Sequence, residues 1–78
     1  MRKKEPLVVI TFHTTAEAMA TERMCRENGI DGRLFPAPRA LSADCGIAWC
    51  SPAALKERLE ALLEQTGIEI EGVYTLEL

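Results

Sequence analysis

Residues 6–17 read Pro6-Leu7-Val8-Val9-Ile10-Thr11-Phe12-His13-Thr14-Thr15-Ala16-Glu17, and the change of character within this stretch decides the fold. Pro6 to Phe12 is nearly continuous in its apolar character and rich in β-branched side chains, the pattern of a strand covered on at least one face. Thr14, with Glu17 three positions later, fits a capping box in which the hydroxyl takes an orphan amide of a new helix. A strand therefore gives way to a helix within a few residues. That helix is expected to run to about Asn28. Ala18, Thr21, Met24 or Cys25, and Asn28 form its inward face, and Glu22, Arg23, Arg26 and Glu27 its wet one. Gly29 stands where a left-handed residue ends a helix.

Working outward, Ile30 to Phe35 reads as a second strand that alternates imperfectly and is ended by Pro36 and Pro38, neither of which can donate to a ladder. A loop follows from about Ala37 to Cys45, then a short third strand from Gly46 to Cys50. Ser51-Pro52 is a helix start, with Ser at the N-cap and Pro at the first helical position. Leu55, Leu59, Leu62 and Leu63 give the second helix an apolar stripe, while Glu57, Arg58, Glu60 and Glu64 face water. Gly67 closes it. Ile68 to Leu78 alternates as an edge strand. The order β-α-β-β-α-β implies an α+β, ferredoxin-like split βαβ: a four-stranded antiparallel sheet with both helices on one face. Residues 1–5 read as a solvated, flexible tail and 6–78 as a single domain.

The chain has 78 residues, 47% of them hydrophobic and 27% charged, with a net charge of −3, which suits one small globular domain. Lys and Arg are spread out after Arg2-Lys3-Lys4, and no clustered basic face or RNA-stacking pattern of aromatics appears, so nucleic acid is not an expected partner. Leu7-Val8-Val9-Ile10 is the longest run of Val, Ile, Leu or Phe, far short of a membrane span of about 20 residues, and too short for a signal peptide. Three cysteines, Cys25, Cys45 and Cys50, suit a secreted disulfide framework poorly, so the cytoplasm is the expected compartment.

In this topology the loop after the second strand lies at the same end of the sheet as the turn after the first. His13, Thr14, Thr15 and the first helix's N-terminus would then face Arg39, Ser42 and Cys45. A cysteine reacts as its thiolate, and the ordinary pKa of about 8.5 falls beside cations and helix N-termini. Arg39 offers the cation, the helix its amides and positive dipole end, and Gly46 leaves room beside Cys45. The bland readings stand beside this one. Thr14 and Thr15 are explained by capping, Ser42 by a turn, Arg39 by a surface ion pair, and His13 by a hydrogen bond at a strand end. Cys25 reads as core packing and Cys50 as a strand-end thiol. Four residues separate Cys45 from Cys50, and no zinc signature is present.

The string Pro36-Ala37-Pro38-Arg39-Ala40-Leu41-Ser42-Ala43-Asp44-Cys45-Gly46 adds a further signal. With Phe12-His13-Thr14-Thr15 before it and Gly67-Ile68 through Gly72-Val73-Tyr74 after it, it resembles the selenium/sulfur carrier-like family of small bacterial domains. The likeness runs over roughly residues 7–76. What the resemblance implies is a cysteine, here Cys45, that holds sulfur or selenium as a persulfide or selenosulfide for a partner enzyme. Arg39 and Ser42 match the flanking motif positions, and His13-Thr14-Thr15 the first turn. Cys50 gains no role from it.

The reading is thus a carrier protein rather than a complete enzyme. Cys45 is the acceptor thiol, His13, Thr14, Thr15, Arg39 and Ser42 stabilise the anion, and no cofactor or metal is called for. Donor and acceptor proteins are the expected partners, with pairing of two copies through the sheet an option of the fold. The rival reading is a small-molecule or regulatory module in which Arg39, Thr14 and Thr15 grip an anion and Cys45 has no covalent part. A weaker third is a transient metal site formed by His13, Cys45 and water.

Overall fold

A computed structural model describes residues 5–37 and 46–77. The elements are β1 (Pro6–Thr11), α1 (Thr15–Glu27), β2 (Arg33–Pro36), β3 (Ile47–Pro52), a 3-10 turn (Ala53–Leu55), α2 (Lys56–Thr66) and β4 (Gly72–Glu77). The four strands form one sheet in the order β2-β3-β1-β4, and every pairing is antiparallel. This α+β arrangement is the one expected from the order of elements, and is consistent with a ferredoxin-like fold.

β1 occupies the interior of the sheet, bonded to β3 from Leu7 to Thr11 and to β4 from Pro6 to Thr11. Its side chains alternate between two apolar environments, which is why the sequence is apolar almost without break. Val8, Ile10 and, just beyond the strand, Phe12 pack with Trp49 against Ala18, Met24 and Cys25 of α1 and Leu59 and Leu63 of α2. Val9 points to the other face, where it is fully buried with Ala48 beneath Phe35, Ala37, Tyr74 and Leu76. Both helices therefore lie on one face of the sheet.

The capping box is present in both directions. The Glu17 amide donates to Thr14 Oγ1 at 3.3 Å, and the Thr14 amide donates to Glu17 Oε1 at 3.2 Å. Ala18, Thr21, Met24 and Cys25 form the buried face of α1. Asn28 is exposed instead of inward, its side-chain amide donating to the Met24 carbonyl at 2.8 Å, so it caps the helix end and adds nothing to the core. Gly29 (φ 69°) and Gly67 (φ 73°) take the left-handed conformation that ends the two helices.

Besides the place of Asn28, four expectations from the sequence are corrected. β2 begins at Arg33 rather than Ile30, because Ile30 turns into the helix-side core and Gly32 passes tightly beneath Trp49. Ser51-Pro52 does not start a helix: both residues finish β3, and α2 begins at Lys56 without a side-chain cap. The Ser51 hydroxyl is engaged elsewhere, accepting from Trp49 Nε1 at 2.6 Å and donating to the Asp31 carbonyl at 2.7 Å. The last strand is Gly72–Glu77, and the alternation read from Ile68 breaks before it. Ile68 and Ile70 join the helix-side core with Val73, whereas Tyr74 and Leu76 pack on the opposite face. Finally, Cys50 does not close its strand; it sits within β3, opposite Val9 on one side and Arg33 on the other.

The clasp around Ser51 yields a prediction. A Cβ at Gly32 would collide with the Trp49 ring and come within 2.5 Å of the Cys50 carbonyl and 2.6 Å of Ser51 Oγ. Gly32→Ala should therefore cost about 3 kcal/mol, as overpacking against backbone does, and lower the thermal midpoint by many degrees. A melt unchanged within error would show that the β2 approach is slack.

Candidate functional site

The pairing gathers several chain segments at one end of the sheet. Thr11, the last residue of β1, is opposite Ala48 near the start of β3 and Gly72 at the start of β4, and Pro36 at the end of β2 is opposite Ile47. His13, Thr14 and Thr15, all exposed, leave β1 at this end and lead into α1. The Ala37 amide donates to the Gly46 carbonyl at 3.0 Å and closes the base of the segment between them. Arg39, Ser42 and Cys45 belong to that segment and lie outside the described residues. Its two flanks thus emerge beside the helix start, the side of the sheet that the strand order requires.

What the start of α1 can offer an anion follows from its capping. Glu17 and Thr14 take up each other's amides, which leaves the first-turn amides of Thr15 and Ala16 and the positive end of the dipole. The Glu17 carboxylate in the same turn offsets part of that attraction. Two further polar atoms at this end have no hydrogen-bond partner among the described residues. Thr11 is fully buried, and its Oγ1 makes no hydrogen bond to the described residues; Glu71 Oε1 is enclosed in the same way. The Glu71 amide meanwhile donates to the Thr11 carbonyl at 2.7 Å, tying the approach of β4 to the end of β1. Neither group stood out in the sequence. Thr11 looked like one more β-branched strand residue, and Glu71 like the polar half of an alternating edge.

The two described thiols have unlike settings. Cys25 is fully buried on α1, and desolvation pushes its pKa up from 9.0 to about 11. It borders a cavity of about 390 Å³ at the far end of α1, whose walls include Arg26, Gly29, Ile30, Gly32 and Trp49. Cys50 is half-buried on the sheet face without helices; burial raises its pKa, opposed by the neighbouring Arg33 guanidinium. Both thiols are therefore biased toward the protonated, unreactive form. Among the described residues no three His, Cys, Asp or Glu side chains converge as metal ligands would. No helix among them is long and apolar enough to cross a membrane.

An α+β domain with β1 and β3 in the interior of its sheet, two helices on one face and a cysteine-bearing segment whose flanks meet beside the helix start is the class so defined. A family model described as "Putative Se/S carrier protein-like" matches residues 7–75, and the chain belongs to that family. No curated protein matches it.

Two predictions come from these environments. Thr11→Val removes a buried, unpaired hydroxyl at nearly constant shape and should stabilise the domain by about 1 kcal/mol, measured by denaturant unfolding; a loss of stability would mean that the hydroxyl has a partner in solution. Cys25, with its pKa raised on folding, favours the folded state while its unfolded counterpart is still protonated. That contribution, about 2–3 kcal/mol at most, is lost as pH rises from about 9 to about 11. Stability should fall across this window, with a shallower slope in Cys25→Ala. In alkylation at neutral pH, Cys25 should be slowest, and slower than Cys50.

Proposed function

We propose that the domain is a sulfur or selenium carrier, with Cys45 as the thiol that takes up the chalcogen and passes it on. The observation that carries this reading is the rooting of the Cys45 segment. Gly46, bonded to Cys45, is held by Ala37 at the sheet end where α1 begins. Membership of the Se/S carrier protein-like family supports the class of function. The raised pKa values of Cys25 and Cys50 leave Cys45 as the thiol with the best prospect of reacting as its anion.

The chemistry is thiol exchange. The Cys45 thiolate attacks the outer sulfur of a donor persulfide, the new S–S bond forms as the old one breaks, and the donor leaves as a thiolate. Delivery repeats the step with the acceptor's thiolate as nucleophile, and no net oxidation occurs. Selenium follows the same course as a selenosulfide. Arg39 lowers the cost of the anion, Ser42 and the exposed His13, Thr14 and Thr15 supply donors to it, and the first-turn amides of α1 add the dipole's field. Partners are proteins that present a persulfide or a free thiol.

Mass spectrometry of protein treated with polysulfide and kept from reductant should show one added sulfur on the Cys45 peptide, absent in Cys45→Ser. Alkylation at neutral pH should be fastest at Cys45. Arg39→Ala should raise the pH at which Cys45 titrates and change stability by no more than about 1 kcal/mol, while Arg39→Lys keeps most of the charge effect. If Arg39→Ala leaves the titration unmoved and lowers the melting temperature by many degrees, Arg39 is a strut. If Cys45→Ser retains binding of a small anion, the domain is a binding module.

A further inference from the structure

The position of Cys50 decides how a sulfur on Cys45 can leave, given the carrier reading on which this inference rests. A persulfide has two ways to discharge. An acceptor thiolate attacks the outer sulfur and carries it away, or a resolving thiolate attacks the inner sulfur, expels hydrosulfide and closes a disulfide. A second cysteine five positions on in the same chain is the first candidate for the second route. The structure argues against it.

Cys50 is fixed in β3 by pairing on both sides, to Val9 of β1 and Arg33 of β2. Between it and Gly46 the chain is extended strand, so the two Cα atoms are separated by about 13 Å at the usual rise per residue. Cys45 is one peptide bond from Gly46, a Cα step of about 3.8 Å. Whatever course the chain takes before Gly46, the Cα atoms of Cys45 and Cys50 stay at least about 9 Å apart, beyond the roughly 7 Å limit of a disulfide. Gly46 cannot swing toward Cys50 without losing the hydrogen bond from Ala37 and the Pro36–Ile47 pairing. Cys50 also shares its row of the sheet face with Arg33, Val9 and Tyr74, and the fully buried Ala48 occupies the next row toward Gly46. Cys25 offers no substitute. It is buried, and lies ten residues along α1 from Thr15, about 15 Å down the helix from the end where Gly46 sits.

We infer that the domain has no resolving thiol of its own, and that sulfur on Cys45 is discharged only by a thiol of another protein molecule. The acceptor's thiolate forms the new S–S bond at the outer sulfur, and the electron pair of the broken bond returns to Cys45 as thiolate. With no acceptor present, the persulfide is protected from the internal reaction that would release hydrosulfide.

Two measurements test this and fail separately. In the first, the sulfur-free protein is oxidised with excess diamide, which removes two hydrogens from a pair of thiols, and disulfides are mapped by peptide mass spectrometry. Absence of a Cys45–Cys50 link within one chain is expected, with Cys50 still open to alkylation whether or not copies cross-link through Cys45. An internal link in folded monomer overturns the inference. In the second, polysulfide-loaded protein is followed for hydrosulfide release with and without added glutathione. Without glutathione, wild type and Cys50→Ser should lose sulfur at rates equal within about twofold, and added thiol should accelerate both. A slowing of tenfold or so in Cys50→Ser would make Cys50 the resolving group. Failure of Cys45 to take up sulfur would defeat the carrier reading and leave the diamide result standing.

Discussion

Because β1 is hydrogen-bonded along both edges, to β3 and to β4, every other element takes its position from it. A strand so placed has no edge open to water and buries both faces, which explains Val8, Val9 and Ile10 at zero exposure in a chain of only 78 residues. Its direction fixes where α1 starts, and the antiparallel order then brings the end of β2 and the beginnings of β3 and β4 to that same end. The proximity of His13–Thr15 to the flanks of the Cys45 segment is thus a consequence of strand order. It needs no special interaction between them.

How much of this was legible beforehand depended on whether the deciding interaction was local. Thr14 with Glu17, and Gly29 and Gly67, act within a turn of themselves, and their readings hold. The apolar run of β1 and the stripe of α2 held for a similar reason, since periodicity is a property of one segment. Ser51-Pro52 misled because the hydroxyl that could cap a helix is drawn to Trp49 and to the Asp31 carbonyl, the latter 20 residues away. The phase change between Ile70 and Tyr74 was hidden too: both faces of the sheet are apolar, so a shift from one to the other leaves no trace in hydropathy.

Which ends of the sheet meet was legible in the sequence, and the tuning of the groups there was not. Strand order was enough to anticipate which ends meet. That Glu17 places a carboxylate beside the dipole, that Thr11 buries an unpaired hydroxyl there, and that burial raises the pKa values of Cys25 and Cys50 all depend on packing between distant segments. In the sequence the three cysteines differ only in their neighbours. In the fold, Cys25 and Cys50 are separated from one another by a helix, a sheet face and the degree of desolvation.

The outer strands of the sheet bear on how the molecule behaves in a crowded solution. β2 has only four residues and finishes at Pro36, so it offers an incoming strand a short and interrupted row of amides. β4 is longer, but Glu71 and Glu77 bracket it on a chain of net negative charge, and two such edges repel each other. Both borders therefore discourage the ladder-like stacking by which exposed sheets seed aggregates. In a domain this small, with 47% of its residues hydrophobic, the margins of the sheet work against such stacking as much as the packing of its interior does.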